Sequence, residues 1–142
     1  MLAMSEHILV PYDGSEPAEA ALEYAFETFP DADVTALYVI PIPEGYWAAF
    51  EDTEDRIPSG ARDHGDTILD DAVAVAADHD RDIDAETATG RPDHEIVDWA
   101  EDGEYDTVVI GSHGREGVSR ILLGSVAENV VRRAPIPVIV VR

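Results

Sequence analysis

Apolar residues follow two different spacings along the chain, and the two spacings alternate. Short continuous apolar runs are typical of strands buried on both faces, and apolar residues three or four positions apart are typical of amphipathic helices. The runs predict strands at residues 8–10, 34–40, 107–111 and 138–141. The helical spacing predicts helices around residues 18–29, 68–76, 93–101 and 126–134. In residues 83–87 acidic residues alternate with Ile, Ala and Thr, which predicts a fifth strand with one face in water, at a sheet edge.

This alternation predicts a doubly wound α/β fold, a parallel sheet of about five strands sandwiched by about four helices with right-handed crossovers. Ser15 is the expected N-cap of the first helix, with Pro17 in its first turn. A chain of 142 residues suits one domain of ordinary size, so we expect residues 1–142 to form a single domain. The segment from Pro41 to Gly60, which contains Trp47, is a predicted loop.

Three segments rich in glycine, proline or polar residues stand at the carboxyl ends of predicted strands. They are residues 11–15 (PYDGS), 39–43 (VIPIP) and 111–114 (GSHG). In a doubly wound sheet, ligands bind outside the carboxyl ends of the strands, where the strand order reverses. We therefore expect the three segments to converge on a ligand site.

Gly124 and Ser125 lie directly before the last predicted helix. A helix N-terminus offers unpaired N–H groups and partial positive charge, and glycine lets an anion approach the backbone. Together with Gly111 and Gly114, these residues can cradle phosphates without a lysine. The alternative is that the glycines only form turns and helix boundaries, with Ser125 an ordinary N-cap, and the spacing alone leaves both interpretations open. A P-loop is excluded because its lysine is missing, and a dinucleotide fingerprint fails on spacing and position.

Composition narrows the function further. The chain has no cysteine, which excludes disulfides, thiolate catalysis and cysteine-ligated metal sites. It has neither an apolar run long enough for a membrane span nor a signal peptide, so we expect a cytoplasmic protein with no membrane partner. There are 31 acidic residues against nine basic ones, all of them arginine, and the net charge of −22 argues against nucleic acid as a partner.

The acidity has two interpretations, a disordered acidic chain or a folded protein adapted to high salt. The apolar fraction of 45% and the regular patterning favour the second. The charge is also uneven, because residues 1–114 hold 29 acidic residues and four arginines, whereas residues 115–142 hold two acidic residues and five arginines. Arg115 and Arg120 are therefore candidate ligand-side charges, and Arg132 and Arg133 are expected to complement the dipole of the last helix.

The glycine pattern resembles the ATP-binding motif of the universal stress protein family: Gly111, two residues, Gly114, nine residues, then Gly124-Ser125. The resemblance covers nearly the whole chain, through ILVPYDGS (8–15), ALYVI (36–40), YDTVVIGSHG (105–114) and LLGSVAENVVRRAPIPVIVVR (122–142). It implies an adenine nucleotide alpha hydrolase-like fold and membership of the subgroup that keeps the glycine motif. That subgroup binds ATP, so the resemblance implies ATP, or ADP or AMP, with Mg²⁺ as the cofactors.

The resemblance also implies which residues bind. Pro11 and Asp13 would line the nucleoside side, with Asp13 a possible contact to Mg²⁺, and Val39 would meet adenine through its backbone. The loop over ribose and phosphates would consist of Gly111, Ser112, His113, Gly114 and Arg115, and the outer phosphates would be held by Gly124, Ser125 and Val126. Ala127 stands where some ATP-binding relatives carry a hydroxyl, which is expected to weaken affinity without abolishing it.

Several candidates have simpler interpretations. Asp13 could brace the first βα turn, and His113 could brace its own loop or face solvent, with no partner placed to make it a general base. Trp99 is expected to pack in the core. Three clusters that mix acids with histidine are predicted to be solvated surface and not metal sites: Asp63-His64, Asp78-His79-Asp80 and Asp93-His94-Glu95.

Three functions remain. The first is an ATP-binding regulatory module of the stress response, read by a protein partner that the sequence does not identify. The second is a slow ATP-hydrolysing or nucleotide-processing enzyme, for which no activating group is evident, so we expect at most weak ATPase activity. The third, a purely structural dimer, predicts a degenerate glycine motif. The apolar last strand, residues 137–142, would be covered at a sheet edge by the same strand of a second subunit, which predicts a homodimer, as does the family resemblance.

Overall fold

A computed structural model describes residues 6–41, 59–112 and 124–142 of the chain. Strands and helices alternate throughout these ranges. In chain order they are β1 (His7–Pro11), α1 (Glu16–Thr28), β2 (Asp33–Pro41), α2 (Ser59–Asp78), β3 (Asp84–Gly90), α3 (Pro92–Asp102), β4 (Thr107–Gly111), α4 (Ser125–Arg133) and β5 (Val138–Val141). The predicted α/β fold with five strands and four helices is thus confirmed for the described residues.

The five strands form one sheet in the order β3-β2-β1-β4-β5, and neighbouring strands are parallel. The chain moves outward from β1 to β2 and β3, then returns to the other side of β1 with β4 and β5. The strand order therefore reverses between β1 and β4, which is where a doubly wound sheet binds its ligand. β3 and β5 are the edges. The sequence predicted an edge position for β3, and the dimer expected from the last strand supposes one for β5.

Both faces of the sheet are covered, and alternate side chains of each strand serve opposite faces. In β1, Ile8 and Val10 pack with α1 and α2, whereas Leu9 packs with α3 and α4, and all three side chains are fully buried. Trp99 of α3 packs against the second of these clusters, as predicted. None of the helices within the described ranges is long and apolar enough to cross a membrane.

Helix α1 begins as the sequence predicted. The Ser15 hydroxyl accepts a hydrogen bond from the Ala18 N–H at 3.2 Å and so acts as the N-cap, with Pro17 in the first turn. Gly14 precedes the cap with φ of +82°, a backbone conformation that disfavours residues with a Cβ. These features turn the chain sharply between β1 and α1, at the point where the strand order reverses.

Candidate functional site

A cavity of about 290 Å³ opens at the carboxyl ends of β1, β2 and β4. Each of the three segments expected to converge contributes to it. The predicted site residues that line it are Pro11, Asp13, Val39, Gly111, Gly124, Ser125 and Val126. The cavity thus lies at the reversal of strand order, between the sheet and the N-termini of the helices that cover one face.

Ser112 lies directly after β4, and its side chain is 95% buried. Its N–H donates to the Val141 carbonyl at 2.8 Å, whereas its Oγ has no hydrogen-bond partner among the described residues. A buried hydroxyl without a partner costs free energy and is uncommon in native structures. The candidates His113, Gly114 and Arg115 follow it in the chain, and they lie outside the described residues, as do Arg120 and the larger part of the predicted loop from Pro41 to Gly60.

The start of α4 forms one wall of the cavity. Gly124, not Ser125, is the N-cap, so the interpretation of Ser125 as an ordinary N-cap is wrong, and Ser125 is the first residue of the helix. Because glycine has no side chain, it supplies no acceptor to the N–H groups of the first turn. Those groups and the positive end of the helix dipole therefore border the cavity. Arg132 and Arg133 lie in the last turn, where they complement the dipole as expected.

Asp13 serves the turn between β1 and α1 and also lines the cavity. Its Oδ1 accepts hydrogen bonds from the N–H of Ser15, at 3.0 Å, and from the Ser15 hydroxyl. The bracing role considered for Asp13 is therefore present, and it fixes the carboxylate at the rim. Mg²⁺ bound to a nucleotide usually takes one or two protein carboxylates, with phosphates and water completing its coordination. Asp13 fits that requirement, and the described residues contain no group of three or more ligating side chains.

The other walls are apolar, and apart from Val39 and Ala127 their residues were not singled out from the sequence. They come from β2, α3, the end of β4 and the first turn of α4, and the residues are Leu37, Val39, Pro92, Ile96, Ile110 and Ala127. Their common feature is a place on the sheet face that α3 and α4 cover. The right-handed crossover rule could have assigned α3 to that face and indicated Pro92 and Ile96.

Tyr12 also lines the cavity, and the sequence did not single it out. Its ring is buried, and its hydroxyl donates a hydrogen bond to Oδ2 of Asp71 on α2. Burial, followed by the hydrogen bond and charge of Asp71, raises the pKa of Tyr12 well above its usual range. The phenol thus stays protonated and ties the β1–α1 turn to α2.

Gly111 has a packing role independent of any ligand. A Cβ built on it would lie 2.2 Å from the carbonyl oxygen of Pro17 and 2.9 Å from the nitrogen of Ala18. Glycine is therefore needed there because α1 crosses the end of β4 at backbone contact distance. Glycine allows another group to approach the backbone closely, and at Gly111 that group is the backbone of α1.

One of the acid and histidine clusters was interpreted wrongly. Asp93 is not solvated surface, because it is 7% exposed and its Oδ2 accepts a hydrogen bond from Nδ2 of Asn129 at 2.9 Å. The cause is the packing of α4 over the first turn of α3, which covers the carboxylate. The other two clusters are mainly exposed, with His79 half-buried and 3.2 Å from Glu23.

Comparisons with known proteins agree with this architecture. The model of the universal stress protein family matches residues 4–142. Universal stress protein MJ0577 of Methanocaldococcus jannaschii is 32% identical over 158 residues, which cover 100% of this chain and 98% of that protein. Its solved structure has a TM-score of 0.76 at 34% identity, over 98% of this chain and 96% of that one.

Two solved structures with bound ligands share the fold. A universal stress protein in complex with cAMP has a TM-score of 0.74 at 24% identity, and the match covers 99% of both chains. A universal stress protein family protein from Arabidopsis thaliana with AMP bound has a TM-score of 0.69 at 20% identity, over 96% of this chain and 90% of that one. At these identities the similarity establishes the fold.

Proposed function

Because the chain belongs to the universal stress protein family, we propose that it binds an adenine nucleotide in the cavity at the reversal of strand order. The observation that carries this proposal is that one cavity combines an apolar slot with a helix N-terminus that has no side-chain cap. In this proposal the protein is an ATP-binding regulatory module of the stress response, whose nucleotide state is read by a protein partner.

The apolar slot suits a purine base. Leu37, Val39, Ile96 and Ile110 offer flat apolar contact, and a strand end such as Val39 also offers backbone groups for the polar edge of the base. That cAMP and AMP are bound by universal stress proteins of this fold supports the choice of adenine. The Ser112 hydroxyl has no partner among the described residues, which fits a ligand with further polar atoms near the end of β4.

The start of α4 suits phosphate. Gly124 leaves the first-turn N–H groups without a side-chain acceptor, and Ser125 adds a hydroxyl. Asp13 would hold Mg²⁺, which when bound neutralises phosphate charge beside the carboxylate. The Asp13 carboxylate would be the protein ligand of the ion, and its hydrogen bonds with Ser15 hold it in place.

The proposal is tested by denaturing the purified protein and identifying the released small molecules by mass spectrometry. Titration calorimetry with ATP and Mg²⁺ in molar KCl then measures affinity. Gly124→Val should abolish binding and keep the fold, because the backbone at φ −62° and ψ 156° is one that valine also adopts. Gly60→Val is the matched control, since a Cβ there meets no described atom within 4 Å, and it should bind as the natural protein does. Failure to recover or bind any adenine nucleotide refutes the proposal, and retained affinity in Gly124→Val places the phosphates elsewhere.

We further propose a homodimer formed through residues 137–142. The carbonyl oxygens of Pro137 and Val141 accept hydrogen bonds from the N–H groups of Val108 in β4 and of Ser112 directly after it, at 2.9 and 2.8 Å. Alternate residues of a strand bond to opposite sides, so Val140 directs its N–H toward the open edge of the sheet. Val140→Pro removes that donor and leaves the pairing with β4 in place. We expect analytical ultracentrifugation in molar KCl to show a dimer for the natural chain and a monomer for this variant, and a natural chain that stays monomeric at micromolar concentration contradicts the dimer.

A further inference from the structure

Helices α3 and α4 are joined by one buried polar contact beside the cavity. Asp93 lies in the first turn of α3, and its carboxylate accepts a hydrogen bond at 2.9 Å from the amide of Asn129 in α4. The Arg91 guanidinium lies 3.5 Å from the same oxygen. We name the Asp93–Asn129 pair the interhelical clamp. Asp93 is 7% exposed, and burying a carboxylate costs free energy of desolvation unless the group is hydrogen-bonded.

The clamp connects the two halves of the cavity. On α3, Asp93 directly follows Pro92 and precedes Ile96 by one turn, and both of those residues line the apolar slot. On α4, Asn129 lies four residues after Ser125, or about 6 Å along the helix axis, and so stands one turn from the phosphate-binding end. The Asp93–Asn129 hydrogen bond therefore joins the helix that lines the proposed base slot to the helix whose N-terminus borders the proposed phosphate site.

The other contacts between α3 and α4 fix the relative position of the two helices less precisely. They include apolar residues such as Val97 and Val130, whose burial stabilises contact without specifying direction. A hydrogen bond to a charged group is shorter, stronger and directional. Loss of the clamp leaves the helices in contact but lets α4 slide or rotate against α3 by the tenths of an ångström that binding sites do not tolerate.

We propose that Asp93 and Asn129 are positioning residues that set the distance between the base slot and the α4 N-terminus. This inference rests on the proposed nucleotide site. Without the clamp, only a fraction of molecules has the binding arrangement, and the apparent affinity falls by that fraction. The clamp thus acts through preorganisation, with no contact to the nucleotide required.

The test compares four variants by titration calorimetry with ATP and Mg²⁺ in molar KCl. Asn129→Ala removes the donor, and we expect about tenfold weaker binding if a tenth of the molecules keeps the binding arrangement. Asn129→Asp sets two carboxylates against each other and should weaken binding further. The double variant Asp93→Asn with Asn129→Asp restores an amide–carboxylate pair at unchanged net charge, and should return the affinity to within about threefold of the natural value. Because the double variant has the natural net charge, recovery of its affinity would show that the geometry of the pair governs binding and not the net charge.

Arg81→Met is the matched control for lost stability. Arg81 donates to the carbonyls of Ala32 and Phe26, at 2.6 and 3.3 Å, away from the cavity lining. The clamp is refuted if Asn129→Ala binds like the natural protein, if Arg81→Met weakens binding equally, or if the double variant is not rescued. Hydrogen exchange without nucleotide gives a separate readout, because Asn129→Ala should raise exchange of the N–H groups that are hydrogen-bonded within α4, at residues 128 and 130–133, and the double variant should reverse it. A natural chain that binds nothing refutes the nucleotide site, while unchanged exchange in Asn129→Ala refutes the clamp itself.

Discussion

Replacing Gly111 by alanine tests whether this glycine is required by packing. The added Cβ would lie 2.2 Å from the carbonyl oxygen and 2.3 Å from the carbonyl carbon of Pro17. Both atoms belong to backbone in the first turn of α1, so no side-chain rotation relieves the overlap. The end of β4 and the start of α1 must separate instead.

The required movement sets the magnitude. Ordinary van der Waals contact of a Cβ begins at about 3.4 Å, so the two backbones must part by about 1.2 Å. That separation loosens Ala18 and Leu22, which are 4% and 0% exposed against the sheet. Overpacking a core typically costs about 1 to 3 kcal/mol, and we expect at least about 3 kcal/mol here because only backbone can yield. For a domain of this length, such a loss lowers Tm by about 10 °C.

The assay is urea unfolding in molar KCl, followed by circular dichroism, with thermal melts in parallel. The midpoint should fall in Gly111→Ala while the m-value stays constant. Gly60→Ala, in the first turn of α2, is the control, because its Cβ meets no atom of the described part of the chain within 4 Å and helix propensity favours alanine. An unfolding free energy unchanged in Gly111→Ala would show that α1 does not approach β4 as described, and the packing explanation of this glycine would be wrong.

Three further predictions concern charge. Asp13→Asn keeps an oxygen acceptor for the Ser15 N–H but loses the carboxylate, so ATP affinity should become insensitive to chelation of Mg²⁺, and calorimetry showing the natural Mg²⁺ dependence contradicts this role. Because burial and Asp71 raise the pKa of Tyr12 above 10.0, its proton is held more tightly in the folded state, and stability should decline as the pH rises above 10.0. Tyr12→Phe should lose about 2 kcal/mol below that pH and flatten the decline, and an unchanged slope in alkaline urea titrations rejects this assignment. Finally, Tm should fall on dilution from about 1 M to 0.1 M KCl, because the Debye length grows from roughly 3 to 10 Å and the repulsion within a chain of net charge −22 is then screened less. A constant Tm excludes salt adaptation.

The polar part of the candidate site could be predicted from sequence because it lies in short local segments. Asp13 and Gly111 stand at the ends of apolar strands, and Gly124 stands at the start of an amphipathic helix. Parallel strands place such ends at one edge of a sheet, whatever the order of the strands. The apolar walls could not be recognised in the same way, because Ile96 looks like any other core residue until α3 is assigned to a face of the sheet.

Asp93 is a buried polar residue that also could not be recognised from the sequence. Beside His94 and Glu95 it reads as one more charged surface residue in an acidic chain. Its burial depends on Asn129, 36 positions away, which the packing of α4 brings into contact. Local pattern carries no information on such a pair, since neither residue is unusual among its own neighbours.

Hydrophobic periodicity by itself determined the elements of this protein, their alternation and the parallel sheet, because these depend on which side chains must leave water. Tertiary packing decided the strand order, the side on which each helix lies, and hence which residues share the cavity. It also assigned Gly111 to a contact with α1, Gly124 to the N-cap of α4, and Asp93 to the clamp with Asn129. Each of those roles is a distance between residues remote in the chain, and such distances arise only when the helices and the sheet pack together.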